Sequence, residues 1–218
     1  MKEFRIPVRR SARYYTLGQP GEHIRKLWIV LHGYGMLASD FIAACKALDD
    51  GETLIVAPEG LSRFYSDGLI GKVGASWMTK EDREAEIKDQ HNYFDALYRI
   101  VTHTLPLDTM VNVMGFSQGT AAAGRWASST NQRVDNLVLW AGNFPHDVKD
   151  QSRLANINGY LVYGTRDPFL SADQVKEAKQ FLNTLNMDFK TITFEGKHHL
   201  NSDTLTQLNR VMVSNVKA

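Results

Sequence analysis

The chain has 218 residues, 43% of them hydrophobic and 22% charged, with 25 Lys and Arg against 24 Asp and Glu and a formal net charge of +1. That length supports one domain with a substantial core, so residues 1–218 are read as a single domain. The near-neutral balance, with only a short basic cluster at Arg9, Arg10 and Arg13, argues against a nucleic-acid partner, and the lack of any run near the ~20 apolar residues of a membrane span argues against stable membrane insertion.

The N-terminal stretch "MKEFRIPVRRSARYY" has charges where a signal peptide needs its apolar centre, which leads to an expected cytoplasmic location. Alternation in "EFRIPVRR" and "ARYYTL" predicts an antiparallel hairpin at a sheet edge. The apolar run "KLWIVLHG" (26–33) then reads as a strand buried on both faces. "FIAACKAL" follows as an apolar helix face carrying Cys45. As the single cysteine it forms no internal disulfide, suits a reducing compartment, and reads as a buried structural thiol.

"TLIVAPEG" (53–60) is a second buried strand. Residues 61–83 form the longest irregular stretch, and long loops in compact domains are often functional. From about Lys80, Ile87, Phe94, Leu97, Tyr98 and Val101 fall on one helical face. "MVNVMGFS" (110–117), "NLVLWAG" (136–142), "GYLVYGT" (159–165) and "FKTITFEG" (189–196) complete the strand series. Ala172, Val175, Ala178, Leu182 and Leu185 predict one more helix. Leu205, Leu208 and Val211 or Met212 predict the last, with Ser202 or Asp203 as its N-cap. Strands alternating with helices imply a doubly wound, mostly parallel α/β sheet, and the chain leaves no room for a large cap domain.

In "MGFSQGTAAAG", Ser117 stands between Gly115 and Gly119, after a strand and before a small-residue helix. This is the pattern of a nucleophile elbow, a turn so sharp that side chains two residues either side of the serine collide. A nucleophilic serine needs a base, and the base an orienting acid. In the order Ser, acid, His, the candidates are Asp167 in "YGTRDPF" and then His198 or His199 in "FEGKHHL", all at C-terminal strand ends. Asp173 is the weaker acid because it opens the next helix. His32 precedes Ser117 and reads as a loop brace. The backbone N–H of Gln118 is one expected oxyanion donor. Trp77 and Phe144, in loops after strands, are expected to line the substrate pocket.

"LHGYG", "GFSQG", "GTRDP" and "FEGKHHL" together resemble the phospholipase/carboxylesterase family of small serine hydrolases, which includes the acyl-protein thioesterases; the likeness runs from about Lys26 onward. "GASWMTKEDR" is similar to the tryptophan segment of that family, with Trp-Met-Thr where many members have Trp-Phe-Asp. The resemblance implies an α/β-hydrolase fold and a Ser117–His198–Asp167 triad. It places His198 where members carry Gly-Gly-His, with Lys197 at the second glycine and Leu200 at the following aliphatic. It implies the backbone N–H of Tyr34 as the second oxyanion donor; the lack of room for a cap suits small acyl esters or thioesters as substrates, and no cofactor is expected because no motif for one is present. No metal-ligand pattern or phosphate loop is present in the sequence. A serine peptidase or amidase and a non-catalytic binding protein share the fold, but no charged peptide subsite and no broken triad is visible. Exposed loop aromatics leave room for a homodimer.

Overall fold

The computed structural model describes residues 1–185 and 187–214. Its elements in chain order are β1 (Tyr14–Leu17), β2 (Lys26–Leu31), α1 (Ala38–Ala44), β3 (Thr53–Pro58), β4 (Ser62–Tyr65), β5 (Val73–Ser76), α2 (Arg83–Thr102), β6 (Met110–Phe116), α3 (Gln118–Ser129), β7 (Asn136–Trp140), β8 (Asn158–Gly164), α4 (Ala172–Leu182), β9 (Phe189–Phe194) and α5 (Ser202–Ser214). Seven strands form one sheet in the order β1-β3-β2-β6-β7-β8-β9. All neighbours are parallel except β1, which runs antiparallel to β3. The fold is that of an α/β hydrolase, and no separate cap domain stands among the described residues.

Strand period and burial explain the two layers. Leu27, Ile29 and Leu31 of β2, with Val111 and Val113 of β6 and Leu137 and Leu139 of β7, face α2 and α3 through Phe94, Leu97, Ala123 and Trp126. The alternate residues Trp28, Val30, Met114, Val138 and Trp140 face α1 and α5 through Phe41, Ile42, Leu205 and Leu208. Near-continuous apolar strands result because both faces are covered. Cys45 is fully buried against the α1 side, its thiol donating to Phe41 O at 3.5 Å, and burial pushes its pKa up, which keeps it protonated.

One polar device crosses this apolar sheet. Asn112 Oδ1 accepts from Asn136 Nδ2 at 2.7 Å, and Asn136 Oδ1 accepts from Asn158 Nδ2 at 3.1 Å. The three residues are direct register partners on β6, β7 and β8. A one-residue slip would leave the buried amides of Asn112 and Asn136 unpaired, so the ladder pins the register.

Three local expectations are refined. The antiparallel edge is a single strand: Tyr14–Leu17 pairs with β3, while residues 1–13 carry no strand and Phe4, Ile6 and Val8 stay exposed. The stretch 61–83 is not wholly irregular, because β4 and β5 form an antiparallel hairpin whose tip turns at Gly68 with φ +66°. The cap of α5 is Asn201, one residue before the expected pair; its Oδ1 accepts from Thr204 N–H at 2.9 Å.

Candidate active site

Ser117 sits between β6 and α3 at φ 52°, ψ −116°. Such a conformation costs a non-glycine residue about 1–3 kcal/mol and persists only where its surroundings impose it. They do so here. Ser117 N–H donates to Trp140 O at 2.9 Å, and its carbonyl accepts from Thr120 N–H at 3.1 Å and from the Thr120 hydroxyl at 2.7 Å. The two glycines are steric necessities. A Cβ on Gly115 would lie 2.2 Å from Gly119 O, and one on Gly119 would lie 2.3 Å from Leu31 O.

Asp167 and His198 are brought together by two loops that touch. A Cβ on Gly164 would lie 2.4 Å from Gly196 O, so only glycine permits the approach. Arg166 N–H donates across it to Gly196 O at 2.9 Å. The Asp167 carboxylate is fully buried. Its Oδ1 accepts from Phe169 N–H at 2.9 Å, and its Oδ2 lies 2.7 Å from His198 Nδ1. One carboxylate thus both turns its own loop and meets the imidazole. The His198 ring is flanked by Phe116, the residue before Ser117, at 4.9 Å between centroids, and by Phe169 at 4.8 Å. These rings hold the imidazole at the elbow, and neither was expected from sequence; the residue after Asp167-Pro168 and the one before Ser117 are the only hints.

His199 points elsewhere. Its ring packs edge-on against Phe194, and its carbonyl accepts from Trp140 Nε1–H at 3.0 Å. Asp173 lies in the first turn of α4, which Ser171 and Gln174 close with a capping box.

The loop after β2 carries Tyr34, whose side chain is exposed and stacked on Phe64 at 5.0 Å. The loop is tied to the hairpin by Gly35 N–H to Ala75 O at 2.9 Å. Among the described residues the amides of Tyr34 and Gln118 have no hydrogen-bond acceptor. Beneath them His32 is fully buried and braces the loop: Nδ1 donates to Gly33 O at 2.8 Å, and Nε2 accepts from Gly60 N–H at 3.0 Å. Burial lowers the pKa of this imidazole, keeping it neutral, as its acceptor role requires.

Phe144 is placed differently from a pocket lining, whereas Trp77 borders a cavity with little exposed surface. Trp77 is 2% exposed; its indole N–H donates to His32 O at 2.7 Å and its ring stacks on His32 at 4.6 Å. Its main role is bracing, although its edge borders a cavity beside Gln118. Phe144 is 1% exposed, packed against Gly124 in the core, and offers a substrate no surface in this structure. Both are large apolar residues near strand ends, and the surrounding helices α2 and α3 bury them.

Two groups missed by sequence reasoning complete the scaffold. The Gln118 side chain clamps the end of β5: Oε1 accepts from Trp77 N–H at 3.2 Å, and Nε2 donates to Met78 O at 3.0 Å. The buried Glu59 carboxylate accepts from Arg13 Nε at 2.6 Å, Arg63 Nε at 2.7 Å and Ala38 N–H at 3.3 Å. Burial alone would raise its pKa, but the two guanidinium bonds outweigh it and hold the carboxyl below its ordinary value. It ties the edge strand, the hairpin and α1 around the Tyr34 loop. Among the described residues no group of three or more His, Cys, Asp or Glu side chains converges as a metal site, and no helix is long and apolar enough to cross a membrane.

A family model described as phospholipase/carboxylesterase matches residues 14–213. No curated protein matches the chain. Solved structures similar to it include a carboxylesterase from Mesorhizobium loti, with TM-score 0.74 and 18% identity over 93% of this chain and 94% of that one. Zea mays acyl-protein thioesterase 2 matches with TM-score 0.69 and 17% identity over 95% and 100% of the two chains. A Bacillus cereus carboxylesterase matches with TM-score 0.69 and 15% identity over 93% and 94%. At these identities the likeness speaks for the fold.

Proposed function

The chain belongs to the phospholipase/carboxylesterase family of hydrolases, and on that premise we propose that it cleaves small acyl esters or thioesters through an acyl-enzyme on Ser117. The observation that carries this reading is the hydrogen bond of His198 to the buried Asp167 carboxylate, beside a serine forced into a positive-φ turn.

In this reading Ser117 Oγ attacks the carbonyl carbon as His198 Nε2 takes its proton. Asp167 holds the other ring nitrogen, keeps Nε2 basic and stabilises the imidazolium. The tetrahedral oxyanion is received by the backbone N–H groups of Tyr34 and Gln118; donors of this kind are worth about 3–4 kcal/mol each in acyl transfer. Collapse breaks the bond to the alcohol or thiol, which leaves with the proton from His198. Water, deprotonated by the same imidazole, then releases the acid and restores Ser117. The absence of a cap among the described residues and the exposed Tyr34 and Phe169 support an open site suited to small acyl groups.

The test is hydrolysis of short p-nitrophenyl acyl esters by the wild type and by Ser117→Ala, His198→Ala and His199→Ala, with fluorophosphonate labelling of Ser117. Turnover and labelling are expected in the wild type and His199→Ala, and turnover is expected to be lost in the other two. Loss in His199→Ala with retention in His198→Ala would overturn the base assignment. A wild type that neither turns over nor labels would overturn the hydrolytic site. Matched p-nitroanilides are expected to react far more slowly; equal rates would favour a peptidase.

A further inference from the structure

A cavity of about 270 Å³ opens beside the elbow, and the triad makes no use of it. It begins at Gln118, passes Ala121 and Ala122 of α3, and reaches Arg125. At 1.5 Å of rise per residue, that is about 10 Å along the helix from the residue after the nucleophile. The two alanines leave the space. Lys80 and Arg83 close it from the opposite wall, and no carboxylate lines it.

The lining of this cavity carries three cations, Lys80, Arg83 and Arg125. Asp147, behind it, is the acid shared by two guanidinium groups. Arg125 Nε reaches its Oδ2 at 3.0 Å and Nη2 its Oδ1 at 3.1 Å, while Arg83 Nη2 pairs with the same Oδ2. Burial pushes the Asp147 carboxyl up, but the two arginines outweigh it and hold its pKa down to about 2, so it stays ionised and fixes them in place. Arg125 keeps Nη1 free of carboxylate, 3.5 Å from Met78 Sδ at the cavity wall. Lys80 has no carboxylate partner among the described residues. Of the nearby acids, Glu86 accepts from Thr79 N–H and the Ser62 hydroxyl and Asp82 pairs with Arg5, and neither forms an ion pair with Lys80. The Arg125 side chain is only 13% exposed, so its charge is screened less than a surface charge. A structural ion pair needs one guanidinium; a second on the same oxygen is surplus to it.

We propose that this cavity is a subsite for an anionic group of the substrate, a carboxylate or phosphate, held by Lys80, Arg83 and the free edge of Arg125 while Ser117 attacks the ester carbonyl. It rests on the esterase reading above and narrows its substrate class to esters with an oxyanion remote from the scissile bond. Preorganised guanidinium groups favour such oxyanions through charge-assisted hydrogen bonds. The anion can come from the acyl chain or from the leaving group, and the assay separates the two.

The test compares mono-p-nitrophenyl esters of succinic, adipic and suberic acid with their methyl-capped diesters, and the butyryl ester of 4-hydroxybenzoate with that of methyl 4-hydroxybenzoate. The anionic member of at least one pair is expected to have a kcat/KM about tenfold or more above its neutral partner. That ratio is expected to fall toward unity in Lys80→Ala and Arg83→Ala, to persist in Lys80→Arg, and to shrink with added salt. A preference in the first set assigns the anion to the acyl chain, and one in the second to the leaving group. Turnover with no preference in either set, or a preference untouched by both alanine variants, overturns this inference alone. Failure to turn over any ester, with Ser117 unlabelled by fluorophosphonate, overturns the esterase reading beneath it as well.

Discussion

Asp167→Asn probes the site with one atom exchanged. In the native protein Asp167 Oδ1 accepts from Phe169 N–H and Oδ2 faces His198 Nδ1. Asparagine has one acceptor and one donor end. Its oxygen is expected to stay on the Phe169 amide, since the reverse orientation would press two donors together there. The NH₂ group then faces His198 Nδ1, which can only accept. The imidazole is driven into the tautomer with its proton on Nε2, the nitrogen that must take the proton of Ser117. In other Ser-His-Asp triads this change costs about ten thousandfold in kcat, or about 5 kcal/mol of transition-state stabilisation. The fold should lose little, within about 2 kcal/mol, because the loop-turning bond survives. The assay is p-nitrophenyl butyrate hydrolysis with kcat and KM determined separately, accompanied by a thermal melt. Asp173→Asn serves as the control, expected to match the wild type. An Asp167→Asn enzyme that melts normally and keeps kcat within about tenfold of wild type would refute the assignment of Asp167 as the orienting acid.

Gln118→Ala is expected to retain far more activity than Ser117→Ala, because its proposed contribution to the oxyanion is a backbone N–H. It also releases bonds to Trp77 and Met78, so stability should fall by about 2 kcal/mol, read by chemical denaturation. Gly119→Ala should fail to accumulate as folded protein or should melt far below the wild type, since its methyl would sit 2.3 Å from a backbone carbonyl; circular dichroism decides this. His32 sets an acid limit: burial holds its pKa below the ordinary 6.5, so below about pH 6.5 the unfolded chain binds a proton that the folded one refuses. Stability is complete above that value and falls as the pH drops toward the folded-state pKa, by about 1.4 kcal/mol per pH unit for this group. His32→Gln should flatten the decline in melting temperature, and an unchanged slope would count against a neutral, accepting His32.

How much was legible depended on whether the governing interaction was local. Buried strands betrayed themselves by runs such as "KLWIVL", because a sheet covered on both faces admits little else. The elbow was legible because its constraint, a clash between Gly115 and Gly119, spans only five residues. The order of Ser117, Asp167 and the histidine pair was legible because each falls at a strand end. The β4–β5 hairpin was hidden by its exposed, glycine-containing tip, and the lone edge strand by alternation that continues into residues 1–13 without a partner.

The sequence by itself therefore determined the layered α/β sheet, the sharp serine turn and the candidate chemistry, since these follow from periodicity, backbone sterics and residue type over short spans. Only the tertiary structure decided which of His198 and His199 meets Asp167, for adjacent side chains diverge and the choice depends on two loops touching at Gly164 and Gly196. It alone decided that Trp77 and Phe144 are buried, because α2 and α3 cover them. It alone set Lys80, Arg83 and Arg125 around one cavity. Charges that converge from separate helices and loops leave no trace in spacing along the chain.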